Sequence, residues 1–244
     1  MKTALITGID KGIGKALMEK FLSEGYFVIG TYLSSEPERV FSAESFGVPK
    51  KENLQTFQLD LSSSESIKNC VAEIKNTDKK IDILINNAGV MLDKGELILN
   101  PDKLRKTLEV NLIGTSNFTE QMISFVNSDG PAHHDDVSGG HIICISSIAG
   151  SFKHVDSGVG RSPNHYPAYR ISKAALNMYV NNLAERIKDQ NIIVSAVHPG
   201  WTKTDMGGQE ADITPQEAAK NIFNFAISKP ETGNFWFDGK IIPW

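Results

Sequence analysis

Thr3-Ala4-Leu5-Ile6-Thr7-Gly8-Ile9-Asp10-Lys11-Gly12-Ile13-Gly14 is the stretch on which the reading of this 244-residue chain turns. The apolar run at 3–7 has the length and composition of a buried strand. Glycines follow at 8, 12 and 14, and then Ile13, Leu17, Phe21 and Leu22 recur at helical spacing until Gly25. A strand that passes through a glycine turn into a helix is suited to hold an anionic group. Gly8 permits the tight turn, Gly12 lets backbone approach a pyrophosphate, and Gly14 lets the helix pack against the strand. The helix N-terminus then offers N–H donors and positive potential.

The same alternation continues along the chain. Runs rich in Val, Ile and Leu at 3–7, 26–30, 54–59, 81–86, 141–146, 192–197 and 233–238 read as strands. Ile67, Val71 and Ile74 mark a helix opened by the serines at 62–64, and another helix starts near Thr214. Strands apolar on both faces and separated by helices imply a parallel sheet covered on both sides, which right-handed crossovers make doubly wound. The expected architecture is one α/β domain over residues 1–244, a Rossmann-type doubly wound parallel sheet of about seven strands with helices on both faces. Stretches 127–139 and 152–163 read as loops.

Composition narrows the function classes. Twenty-five Lys+Arg against 29 Asp+Glu leaves a net charge of −4, which gives no global attraction for nucleic acid or an anionic membrane. No apolar run is long enough to span a bilayer, and residues 4–6 are too short for a signal-peptide core, so the cytoplasm is the expected location. Cys70 and Cys144 fall in a helix and a strand and read as core thiols of a reducing compartment. His133-His134-Asp135-Asp136 has metal-ligand residue types, but they are consecutive and without partner spacing, so no metal site is expected.

Three residues, not one, separate the first two glycines of the turn, and further elements follow in order. Asp60 ends the third strand, and Asn86-Asn87-Ala88-Gly89 ends the fourth. Asn111 is expected to begin a helix, Ser146-Ser147 ends the fifth strand, and Pro199-Gly200 follows the sixth. Tyr169 and Lys173 lie four apart in a helical pattern and so share a face. Singly, each has a plainer reading as a cap or a surface pair. As an ordered set they resemble the TGxxxGxG, NNAG and YxxxK elements of the short-chain dehydrogenase/reductase family, over nearly the whole chain.

That resemblance implies catalytic roles for Asn111, Ser147, Tyr169 and Lys173. Tyr169 would exchange a proton with the substrate oxygen and Ser147 would hydrogen-bond that oxygen. Lys173 would hold ribose hydroxyls, and Asn111 would support a water-linked relay. The nearby ammonium and the oxidised nicotinamide are expected to lower the Tyr169 pKa from its usual value of about 10. Ser146 is the nearer rival for the serine role, and Tyr166 for the tyrosine, but Tyr166 has Arg170 four residues on where a lysine is needed. The cofactor would meet Thr7, Gly8, Asp10, Lys11, Gly12, Ile13 and Gly14 at the turn. Tyr32, Asp60, Leu61, Asn87, Ala88 and Gly89 would line its adenosine and ribose side. Tyr169, Lys173, Pro199, Gly200, Thr202 and Thr204 would meet its nicotinamide half.

The second strand leads into Thr31-Tyr32-Leu33-Ser34-Ser35 with no acid to accept the ribose hydroxyls, while Lys11 resembles the base that meets a 2′-phosphate. NADP(H) is the expected cofactor, with NAD(H) left open. Segments 198–208 and 235–244 resemble the C-factor and sniffer-type carbonyl reductases of the family. The expected activity is reduction of a small ketone or aldehyde, carried out by a homodimer or homotetramer built through the helices bearing Asn111 and Tyr169. A dinucleotide-binding regulator on the same fold is the rival from another class, and an extended-branch epimerase or dehydratase is the rival among enzymes. The stretch 152–163 reads as an insertion beside the substrate.

Overall fold

In the computed structural model, residues 1–34, 51–126, 139–153 and 165–244 are described. The segments 127–138 and 154–164, which hold the His133–Asp136 run and most of the expected insertion, lie outside them. The strands are β1 (Thr3–Thr7), β2 (Phe27–Tyr32), β3 (Leu54–Gln58), β4 (Ile83–Asn86), β5 (Gly140–Ile145), β6 (Ile192–Val197), β7 (Asn234–Phe237) and β8 (Lys240–Ile241). The helices used below are α1 (Gly12–Ser23), α2 (Ser64–Lys75), α3 (Pro101–Leu108), α4 (Thr115–Met122), α5 (Pro167–Arg186) and α6 (Pro215–Ala226).

The sheet order is β3-β2-β1-β4-β5-β6-β7-β8, parallel throughout except for the antiparallel β7–β8 pair. This is the doubly wound sheet expected, with eight strands where about seven were read. Asp238 and Gly239 both have positive φ, of 49° and 70°, which lets the chain reverse tightly after β7 and add the short β8. The second strand also runs on past Gly30 to Tyr32.

Side chains alternate to the two faces, as strand geometry requires. Leu5, Leu84, Ile142 and Cys144 face one way, against Ile67 and Val71 of α2, Phe118 of α4 and Leu176 of α5. Ala4, Ile6, Ile83, Ile85 and Ile143 face the other way, against Leu17 and Phe21 of α1 and Ile222 and Phe223 of α6. Cys70 and Cys144 are both buried and free. Strand order reverses between β1 and β4, so the loops beyond their carboxyl ends diverge and leave a crevice there.

Candidate active site

The crevice begins at the glycine turn. Gly8 and Gly12 have φ of +71° and +56°, a region that disfavours any side chain. A methyl group at Gly14 would lie 1.8 Å from the Gly8 carbonyl oxygen, so only glycine lets α1 start this close to β1. Asn87 locks the turn to the end of β4: its Nδ2 donates to the carbonyls of Thr7 (2.9 Å) and Gly8 (3.1 Å). Thr7 Oγ1 accepts in return from the amides of Asn87 and Ala88. The N-cap residue, Lys11, makes no side-chain cap hydrogen bond, and no acid stands in the first turn of α1. The N-terminus therefore keeps its positive potential directed into the crevice, and an anionic dinucleotide fits it.

Asp60 lies two residues beyond β3, its Oδ1 accepting from Ser62, and Ser63 caps α2. Gly114 sits where a methyl would lie 1.9 Å from the Leu61 carbonyl oxygen, which brings the Asn111 segment onto this loop. Asn111 does not begin a helix. The helix starts at Pro101, where Asn100 Oδ1 accepts from the amides of Asp102 and Lys103. Asn111 falls in a π-helical turn, Glu109–Gly114, between α3 and α4. A wider turn misaligns the backbone ladder, and the Thr115 hydroxyl donates to the Val110 carbonyl within it. Asn111 is buried there, accepting from the Val90 amide (2.8 Å) and donating to Ser172 Oγ (3.0 Å).

Ser147 and Tyr169 meet at the end of β5. The Ser147 hydroxyl hydrogen-bonds the Tyr169 phenol and also accepts from the Ala149 amide. Ser146 points into the core, donating to Asn177 Oδ1. Tyr166 stands at the N-cap of α5, edge-on to Tyr169 with ring centroids 6.0 Å apart. Lys173 Nζ lies 5.6 Å from the centre of the Tyr169 ring and donates to the Ile145 carbonyl (2.8 Å). A methyl at Gly89 would lie 3.2 Å from Asn111 Oδ1 and 3.7 Å from Lys173 Nζ, so the two side chains flank one point of the NNAG backbone.

The electrostatics of this cluster differ from the sequence expectation. Burial pushes the Tyr169 phenol up to about 12, with the Ser147 hydrogen bond opposing, and brings the Lys173 ammonium down to about 8. The phenol is raised where a lowering was expected, because loss of water outweighs the Ser147 hydrogen bond that favours the phenolate. A phenol held protonated is a proton donor at neutral pH.

The loop after β6 completes the site. Gly200 has φ +86°, Thr202 is buried with its hydroxyl donating to the Gly200 carbonyl, and Thr204 packs 3.2 Å from where a Gly12 methyl would stand. Two lysines reach this loop from opposite walls: Lys11 pairs with Asp205 (2.7 Å), and Lys94 Nζ donates to the Met206 carbonyl (3.1 Å). Asp205, Lys94, Ser172 and Asp93 were not singled out from sequence. Ser172 could have been found from its place inside the YxxxK span, whereas the other three find their partners through the fold. His198 packs on Phe237, ring centroids 4.8 Å apart.

A family model described as short chain dehydrogenase matches residues 2–215. The chain belongs to this family. It is 33% identical over 233 residues to the 3-oxoacyl-[acyl-carrier-protein] reductase FabG of Aquifex aeolicus (strain VF5), covering 94% of this chain and 86% of that reductase. Its fold is similar to that of the carbonyl reductase Sniffer of D. melanogaster, with a TM-score of 0.85 at 25% identity and all of both chains covered. It is equally similar to an NADPH-bound carbonyl reductase from chicken fatty liver, with a TM-score of 0.85, 25% identity, and 100% and 99% of the two chains covered. The chain is therefore an oxidoreductase of the short-chain type with a dinucleotide crevice, and its architecture is that of carbonyl reductases. Among the described residues no helix is long and apolar enough to cross a membrane.

Proposed function

We propose that this short-chain dehydrogenase uses NADPH to reduce a small ketone or aldehyde, with Tyr169 as the proton donor. The observation that carries the reading is the buried, protonated Tyr169 held by the Ser147 hydroxyl beside Lys173, at the carboxyl edge of the sheet and across from an uncapped α1.

When bound, the reduced nicotinamide supplies a hydride to the carbonyl carbon. Tyr169 gives its proton to the carbonyl oxygen, and Ser147 hydrogen-bonds that oxygen as charge develops. Lys173 holds the ribose hydroxyls and keeps a cation beside the phenol. Asn111 shares the Gly89 position with Lys173 and so supports a water-linked route that returns the proton. The turn from Thr7 to Gly14 would cradle the pyrophosphate. Tyr32, Asp60, Leu61, Asn87, Ala88 and Gly89 would take the adenosine side, and Pro199, Gly200, Thr202 and Thr204 the carboxamide side. Support for NADP(H) comes from Lys11 in the turn, from the lack of an acid at the end of β2, and from the NADPH-bound chicken relative.

The assembly proposed with this activity is a homodimer or homotetramer through the Asn111 and Tyr169 helices, where Ile113, Ile171 and Met178 are exposed. The test of function is initial rates of NADPH and NADH oxidation with diketones, quinones, aldehydes and a 3-oxoacyl thioester, using Tyr169→Phe as control. NADPH turnover that disappears in Tyr169→Phe supports the reductase. Tight NADPH binding without turnover on any of them moves the reading to the dinucleotide-binding regulator.

A further inference from the structure

The loop that leaves β4 carries Asn87 and Ala88 against the glycine turn, Val90 against Asn111, and then Asp93. Asp93 is 1% exposed, and its Oδ2 accepts a 2.6 Å hydrogen bond from the Ala168 amide, in the first turn of α5. Its other oxygen, Oδ1, is buried with no hydrogen-bond partner among the described residues. A carboxylate is costly to bury unless something compensates it, and the amide and partial positive charge of a helix N-terminus do so.

That N-terminus lacks the ordinary means of satisfying itself. Tyr166 is the N-cap and offers no side-chain cap, and Pro167 follows without an N–H. The Arg170 amide already bonds the Tyr166 carbonyl. Asp93 thus supplies from a distant loop the capping oxygen that a serine or aspartate normally supplies locally. The next residue after its partner is Tyr169. Further along the helix, Lys173 is tied to Ile145, and Gly150 packs so closely that a methyl there would meet the Lys173 backbone at 2.6 Å. Ser147 is held just beyond β5 by its own turn, its hydroxyl and carbonyl accepting from the Ala149 and Gly150 amides, so the first turn of α5 sets how the phenol meets it.

We propose that Asp93 is a positioning residue that caps the Tyr169 helix from the β4 loop and holds the phenol in register with Ser147. The catalytic part of this inference rests on Tyr169 being the proton donor; the capping part does not.

The test compares Asp93→Ala with Asp93→Asn, which keeps an acceptor oxygen in the same place. In Asp93→Ala, kcat for carbonyl reduction falls about tenfold, while the NADPH Kd stays within about twofold because the glycine turn and Lys173 are untouched. Asp93→Asn restores most of the rate. Amide hydrogen exchange over residues 166–172 speeds up about tenfold in Asp93→Ala and not in Asp93→Asn, and this readout needs no turnover. If Asp93→Ala does not fold, Asp93→Ser, whose shorter side chain falls short of the amide, carries the same expectations. Unchanged exchange in the folded variant overturns the capping. Faster exchange at an unchanged kcat, or parallel loss of kcat and NADPH affinity in both variants, overturns the positioning role.

Discussion

Tyr169 and Lys173 are both almost fully buried, and burial acts on them in opposite directions because one is charged when it loses its proton and the other when it keeps it. Tyr169→Phe keeps the ring in place and removes the hydroxyl with its proton, so kcat for reduction is expected to drop by about 10²–10⁴-fold with NADPH binding retained. With the phenol titrating near 12 and Lys173 near 8, the alkaline limb belongs to Lys173. Thus kcat/KM for reduction should be level below about pH 8 and fall above it as the ammonium is lost. A rate that climbs with pH over that range would mean the phenolate is the working form. Lys11 poses a different question at the same scale. Its pairing with Asp205 is 75% and 81% exposed, and so exposed a pair yields readily to a better anion. Lys11→Ala should therefore lower the NADPH-over-NADH preference about tenfold, a 2′-phosphate having lost a charge-assisted partner. Asp205→Asn should raise NADPH affinity a few-fold and leave NADH unchanged. A selectivity ratio that neither variant moves removes Lys11 from cofactor choice.

Between elements, the seam of α1 and α6 holds the glycine turn from beneath. Phe21 is fully buried and meets Tyr26 and Phe223 edge-on, at 5.1 and 4.9 Å between centroids. Phe21→Ala should cost about 3–5 kcal/mol in urea unfolding, from lost burial and the cavity left behind. A loss well under that would mean α6 collapses onto the gap. This seam was legible in advance because Ile13, Leu17 and Phe21 repeat at the spacing of one helix face. The Asn111 segment was not, since a π turn breaks the 3.6-residue period within an otherwise continuous rod. The true start at Asn100-Pro101 carried both a cap residue and a proline at the first position. The eighth strand hid for another reason: two exposed residues are too few to alternate, although Asp238-Gly239 is a strong hairpin signal. Within the site, the motif residues could be read because each sits at a strand end or on one helix face. Asp93, Lys94 and Asp205 could not, because their partners lie 75, 112 and 194 residues away in the chain.

Across the whole molecule, the sheet couples stability to pH through one residue. His141 lies in β5, between Ser195 of the neighbouring strand and the end of α6, its ring nitrogens 3.0 Å from Ser195 Oγ and 3.2 Å from the Ala226 carbonyl. It is 3% exposed, and burial brings its pKa down from 6.5 to about 4, against a smaller opposing pull from the Ala226 carbonyl. Between those two values the unfolded chain binds a proton that the folded chain refuses, so stability rises with pH there and falls on acidification. The contribution is fully present above about pH 6.5 and gone near pH 4. From about pH 7 to about pH 5 the expected loss through His141 alone is about 2 kcal/mol. The chain has six histidines, so the measurement is a difference: urea unfolding at both pH values for the native chain and for His141→Gln, which cannot titrate. The variant is less stable at neutral pH if the Ser195 and Ala226 bonds weaken, but only its smaller change between the two pH values bears on the claim. Equal changes would mean that His141 accepts its proton inside the folded sheet, which would require β5 and α6 to part enough to admit water.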